Sequence, residues 1–330
     1  MGELWQKLIW YPVLERYISR HYTVYPCLAS SETSQPAKNA LEPGHAPHTN
    51  SQKAKQMSIL YDLPAKDYFA NKALGSTSIK TLSDPELSLA DVYYQLHNDV
   101  HKPEYDVGTL GHALILEGGI EDVIALVPYD SYRTKAAREA KAEAYANGLI
   151  PVNETEATTM LDPLYAIRDE VMGHPIAGPL LTGGHSEVSL FWEQNGVACK
   201  GRLDYWKPDQ GIAVDLKLLR SSAPNDVRKQ ISDLGYYIQR VHYQNGTQQL
   251  TGFRPQWYWV TVAKEPPYSV SVHTMDPTTD DAAHMRIDYA LGRYRQATEA
   301  GEWPGYTSIY QQSLTPWEAI KNETLEEQLV

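Results

Sequence analysis

Cysteine is nearly absent: the 330 residues include two, Cys27 and Cys199. Two thiols cannot build a disulfide framework or a cysteine-based zinc site, and they fit a reducing cytoplasm. Phenylalanine is also scarce, with 3 against 23 tyrosines and 8 tryptophans, so the aromatic content is of the kind that tolerates a wet edge. Positive charge is short: 29 Lys and Arg face 41 Asp and Glu, a balance of −12. That argues against a generic nucleic-acid binder, which is basic as a whole, and leaves room only for one with locally concentrated cations. Long apolar runs are missing too. The apolar and aromatic stretch 4–25 is interrupted by Lys7, Pro12, Glu15, Arg16 and Arg20, too often for a membrane span or the core of a secretion signal. There is no Gly-x-x-x-x-Gly-Lys-Ser/Thr, no Gly-x-Ser-x-Gly and no His-Glu-x-x-His. By motif, a phosphate-loop motor, an α/β-hydrolase elbow and a zincin are excluded.

What is present falls into three stretches. Residues 1–56 read as an N-terminal appendage, of which 28–56 has the Ser, Thr, Pro, Ala, Asn, Gln and His composition of a disordered linker. Residues 57–310 carry the periodicity of a folded domain, and 311–330 read as a polar surface tail. Within the domain the spacing predicts helices at 76–82, with Ser76 or Thr77 as cap, and at 88–97, 108–117, 132–147, 154–172 and 276–297. Met285, Tyr289, Leu291 and Tyr294 are read as the contacts of the last of these. Strands are predicted at 123–127, 256–263 and 268–273. Arg133, Lys135, Arg138 and Lys141 on the 132–147 helix read as a solvated face in preference to a DNA contact.

The centre of the chain is 187–243. Residues 187–193 are apolar and β-rich and read as a strand, Asn195-Gly196 is a strong hairpin signal, and 197–206 and 212–219 complete an antiparallel meander across the turn 207–211. Asp215 and Lys217 stand two apart on a strand and share a face, while Val214, Leu216 and Leu218 point to the other. Asp204 joins the polar face across the ladder. Two carboxylates beside an ammonium are costly to desolvate unless a cation compensates them, and an oxygen-preferring divalent ion fits. An isolated Asp-x-Lys is otherwise an ordinary solvated ion pair. A helix is predicted from Pro224 to a stop at Gly246, with Gln239 and Tyr243 four apart on one face. Between Lys200 and Arg240 lie eight Lys and Arg against five Asp, a local reversal of the overall charge that includes Arg202 and Arg228. His112, in the helix 108–117, reads on its own as a hydrogen-bonded core histidine.

Glu187, Gly-Arg-x-Asp204, Asp215-x-Lys217 and Gln239-x-x-x-Tyr243, in that order, resemble the PD-(D/E)xK nuclease superfamily. The likeness is to its RecB/RecE-type branch, nearer the exodeoxyribonuclease VIII nuclease domain than lambda exonuclease. The resemblance implies an α/β fold with a restriction-endonuclease-like mixed sheet flanked by helices, occupying 57–310. It implies a metal-dependent exonuclease acting on double-stranded DNA ends, 5′→3′, in recombination and of phage derivation. Gly108 and His112 match the spacing of a helix whose histidine ligates metal in such nucleases. The ligands it implies are His112, Asp204, Asp215 and the main-chain carbonyl of Leu216, for one or two Mg²⁺ or Mn²⁺ ions. Lys217 would position the attacking water, and Glu187 would support the site or bind a second metal. Gln239, Tyr243, Arg202 and Arg228 would contact DNA. The implied partners are duplex DNA, other copies of the chain in a trimeric or tetrameric ring, and a single-strand annealing protein. Asp215 stands where many relatives have Glu, which leaves the metal count open. A structure-selective or single-strand nuclease, and a non-catalytic DNA-binding or assembly protein, are the alternatives.

Overall fold

The computed structural model describes residues 57–98 and 103–328; the appendage expected at 1–56 lies outside the described residues. Among them the strands are β1 (Ser58–Leu60), β2 (Ile124–Val127), β3 (Ile150–Asn153), β4 (His185–Gln194), β5 (Val197–Lys207), β6 (Ile212–Leu219), β7 (Gln256–Ala263) and β8 (Val270–His273). Six of them form one mixed sheet in the order β1-β4-β5-β6-β7-β8, and β2 and β3 pair separately in parallel. The sheet is antiparallel except between β6 and β7. The longer helices among the described residues are α1 (Ser76–Ser83), α2 (Leu89–His97), α3 (Asp106–His112), α4 (Lys135–Ala146), α5 (Asp162–Gly173), α6 (Pro224–Asp233), α7 (Tyr236–Thr251), α8 (Asp280–Ala300) and α9 (Pro316–Gln328). No helix among the described residues is long and apolar enough to cross a membrane.

Local chemistry sets the meander. Asn195 and Gly196 both take positive φ, 52° and 78°, the turn whose twist matches two antiparallel strands. The loop 208–210 is a 3₁₀ turn closed by Gly211 at φ 65°. Both faces of the sheet are covered. On one, Val188, Leu190, Trp192, Cys199 and Leu203 pack with residues of α1, α6, α7 and α8. On the other, Val214, Leu216, Val260 and Val262 pack with Leu110 of α3 and Leu164, Ile167 and Val171 of α5. Burying each such aliphatic side chain contributes about 1.5–3 kcal/mol.

Several helix expectations are corrected by the structure. The single helix foreseen from Pro224 is two, α6 and α7, separated by Gly235 in a left-handed conformation at φ 63°. Gly246 is no stop: it is buried inside α7, which runs on to Gly252. Ser76 is the first residue of α1 and not its cap, which is Gly75. Met285 and Tyr289 are 70% and 47% exposed, because the buried stripe of α8 is Ala283, Ile287, Ala290 and Leu291. The tail contains α9, and β3 was hidden by its proline, Pro151. The basic helix α4 engages its own charges: Lys135 pairs with Glu139 at 3.6 Å and Lys141 Nζ lies 4.2 Å from the Tyr132 ring centroid.

Gly246 is an instructive exception to helix propensity. Replacing an interior helical glycine with alanine ordinarily gains up to about 1 kcal/mol. Here a Cβ would lie 2.6 Å from Trp192 Cε3. Gly246→Ala is expected to lower stability, as overpacking does by about 1–3 kcal/mol. A fall in the urea midpoint with unchanged slope is the check.

Candidate active site

The site sits where the sheet stops being regular. β4 and β5 pair at Ser186↔Tyr205 and at Val188↔Leu203, so Glu187 stands opposite Asp204 between two regular pairs. The β5–β6 ladder ends at Tyr205↔Val214, which puts Asp204 and Asp215 at the next position. Three carboxylates thus lie in a row across three neighbouring strands. Glu187 adopts φ 52° within its strand, a conformation unusual for a long side chain and found preferentially at functional sites. The alternation of β5 changes phase here too: Leu203 and Trp206, three apart, share one core, and Tyr205 belongs to the other.

Side chains fill the gap this opens. The Leu216 N–H donates to Asp204 Oδ2 at 2.8 Å, and the Leu216 carbonyl accepts from His112 Nε2 at 2.9 Å. A carbonyl only accepts, so Nε2 carries the proton and the neutral ring presents Nδ1. That nitrogen lies 3.8 Å from Asp204 Oδ2 and 3.9 Å from Glu187 Oε1. Close approach of α3 makes this contact: a Cβ on Gly111 would lie 2.4 Å from Leu218 Cδ2. Gly108, the glycine of the expected motif, has nothing within 4 Å of that position. A π-helical turn, Ala113–Glu117, follows His112 at once, a distortion frequent at functional sites.

Each acid has a holder. Arg202 Nε lies 2.6 Å from Glu187 Oε2, and its Nη2 donates to the Leu63 carbonyl. Arg202, expected on DNA, lies against Glu187 in this structure. Asp215, 1% exposed, accepts from Gln239 Nε2 at Oδ1, 2.9 Å away, and has Lys217 Nζ 2.5 Å from Oδ2. Lys217 also lies 4.0 Å from Asp204 Oδ2. Burial would push the Lys217 ammonium down, but Asp215 and Asp204 outweigh it and hold it up, so it stays charged. Burial raises Asp215 to about 6 against the pull of Lys217. His112 is held above its ordinary value because Asp204 and Glu187 overcome the opposing effect of burial.

The structure therefore gathers His112, Glu187, Asp204, Asp215, Leu216, Lys217 and Gln239. Gln239, expected on DNA, turns inward to Asp215. Tyr243, likewise expected on DNA, is 6% exposed, with its hydroxyl 3.2 Å from Ser76 Oγ and its ring where a Cβ on Gly201 would meet it at 2.8 Å. Arg228 is exposed on α6. Of the expected ligands, His112 and Asp204 come together with Glu187. The atoms that converge within 4.8 Å come from His112, Glu187 and Asp204, while the Leu216 carbonyl is used by His112 and Asp215 by Lys217 and Gln239.

Does a divalent cation fit these residues? One imidazole nitrogen and carboxylate oxygens are a donor set for Mg²⁺ or Mn²⁺, the nitrogen favouring the latter. Three carboxylates face two cations, Lys217 and Arg202, when His112 is neutral. Asp215 Oδ2 is buried and, despite its short approach to Lys217, lacks an aligned hydrogen bond. With His112 neutral the site is short of positive charge, and the group fits. Because a proton and a cation compete for His112 Nδ1, Mn²⁺ affinity should rise with pH until that nitrogen is free, by up to about tenfold per pH unit. Calorimetry between about pH 6 and 8.5 checks this, and a flat profile would remove His112 from the ligand set.

Residues 76–311 match a family model described as a PDDEXK-like domain of unknown function (DUF3799). No curated protein matches the chain. Among solved structures, the chain is similar to a protein from Eubacterium rectale that carries the provisional name exonuclease. Identity is 13%, with 78% of this chain and 98% of that one covered and a TM-score of 0.53. A phage-related exonuclease from Haemophilus somnus 129PT also matches, at 12% identity over 70% of this chain and 96% of that one, with a TM-score of 0.33.

Proposed function

The chain belongs to this family of PDDEXK-like domains, and from that premise we propose that it is a metal-dependent exonuclease hydrolysing phosphodiester bonds at duplex DNA ends, 5′→3′. The observation that carries the reading is the row Glu187, Asp204 and Asp215 with Lys217 and His112 gathered on it. The exonucleolytic mode and polarity rest on the sequence resemblance. A role in recombination, an annealing partner and a closed ring of three or four copies belong to the same proposal.

His112, Glu187 and Asp204 would hold the ion, with Asp215 at its side. A bound Mg²⁺ or Mn²⁺ supplies Lewis-acid polarisation of the phosphate and a lowered pKa for its water. The rest is done by the chain. His112 donates from Nε2 to Leu216, which fixes its tautomer and leaves Nδ1 facing the acids. Arg202 holds Glu187, and Gln239 holds Asp215, each limiting rotation of a carboxylate. Lys217, kept charged by two aspartates, orients the attacking water and meets charge developing on the phosphate.

Linear and covalently closed circular duplexes, incubated with Mg²⁺ or Mn²⁺ and with a chelator, test the proposal. The linear substrate should disappear only with metal, and the circle should persist. Cutting of the circle would favour a structure-selective nuclease, and loss of neither would mean a binding protein.

A further inference from the structure

Two ammonium groups share one aromatic ring at the edge of this site. Lys217 Nζ lies 5.2 Å and Lys80 Nζ 5.7 Å from the centroid of Tyr236, the first residue of α7. Lys217 is balanced by Asp215. Lys80, on α1, is half-buried and, among the described residues, its ammonium has neither a hydrogen-bond nor an ion-pair partner. Desolvating an unpaired lysine is unfavourable, and placing it near a second cation adds repulsion. Burial and then Lys217 push the Lys80 ammonium below the ordinary lysine value, with Asp215 opposing. A cation–π contact at a partly exposed ring offsets only about 0.5–1 kcal/mol.

The backbone is shaped to admit this side chain. Gly235 is left-handed at φ 63°, and a Cβ there would lie 2.9 Å from Lys80 Cδ. Any other residue would meet both the wrong conformation and the lysine stem. An unfavourable cation is thus accommodated beside the reactive cluster, which makes sense if an anion joins it. We infer that Lys80 is a phosphate-binding residue of this site, gripping the nucleic-acid backbone phosphate next to the one that Lys217 faces, with the strand passing over Tyr236. The inference rests on the nuclease reading and extends it to a residue outside the carboxylate row.

Lys80→Met keeps the stem and removes the charge. The experiment measures cleavage kinetics on a linear duplex with Mn²⁺, duplex binding in chelator at several salt concentrations, Mn²⁺ affinity and Tm, for wild type, Lys80→Met and Lys80→Arg. A lost phosphate contact should raise KM about tenfold, with a smaller change in kcat. It should also reduce the salt slope of binding by about one. Mn²⁺ affinity should be unchanged, Tm equal or higher, and Lys80→Arg should recover most of the KM. If wild type cleaves while Lys80→Met keeps its KM and salt slope, the assignment is overturned and the nuclease reading stands. A lower Tm with KM unmoved would make Lys80 structural and also overturn it. If wild type neither binds nor cleaves duplex, both fall together.

Discussion

Lys217→Ala should leave divalent-cation affinity intact or slightly tighter and lower cleavage by roughly two to three decades, the effect of deleting one electrostatic stabiliser. The geometry explains the separation. Lys217 contributes no ligand atom, but its Nζ lies 2.5 Å from Asp215 Oδ2 and 4.0 Å from Asp204 Oδ2. Removing it relieves the repulsion a cation would feel. It also leaves Asp215, already raised to about 6 by burial, with Gln239 as its remaining polar partner, so its carboxyl should climb further in the metal-free protein. Part of the activity lost near neutral pH should then return as pH rises and Asp215 ionises. A pH–rate profile of the variant, shifted to higher pH than wild type, is the mark of this coupling, and an unshifted profile would count against it.

Asp204→Ala should lose metal affinity and cleavage together, with activity falling by more than about three decades, beyond the loss from one electrostatic stabiliser. This residue does two jobs. It offers an oxygen toward His112 and Glu187, and it accepts the Leu216 N–H at the point where the ladder opens. Alanine abolishes both, and an unsatisfied buried N–H costs about 1–3 kcal/mol. Asp204→Asn separates them, since its amide oxygen still accepts from Leu216 while the charge is gone. Asn should therefore keep most of the stability that Ala loses and yet restore little cleavage. Urea midpoints measured beside single-turnover cleavage would show it.

How much of this could be read from the sequence depends on the range of the contact involved. The strands 212–219 and 256–263 were legible because a β-rich apolar run is a local signal, and the Asn195-Gly196 turn because both residues accept positive φ. The acids, lysine and histidine were legible as a motif. Their grouping was not. Arg202 reaches Glu187 only through the β4–β5 register, and His112 reaches Leu216, 104 positions away, only because Gly111 lets α3 settle on Leu218. Gly246 looked like a helix stop because nothing local distinguishes a stop from a glycine beneath Trp192. The burial of Tyr243 likewise depends on the missing side chain of Gly201 on another element. Leu203 and Trp206, three apart in a period-two strand, mark the change of phase at Asp204.

In the proposed function Glu187, Asp204, Asp215, Lys217 and His112 form one metal-dependent hydrolytic centre. Its most direct test is a calorimetric Mn²⁺ titration run beside cleavage of a linear duplex on the same preparations of wild type, Asp204→Asn and Lys217→Ala. The structure predicts that Asp204→Asn loses both, and that Lys217→Ala keeps the metal and loses cleavage. Unaltered Mn²⁺ affinity in Asp204→Asn, or near wild-type cleavage in Lys217→Ala, would place the centre elsewhere.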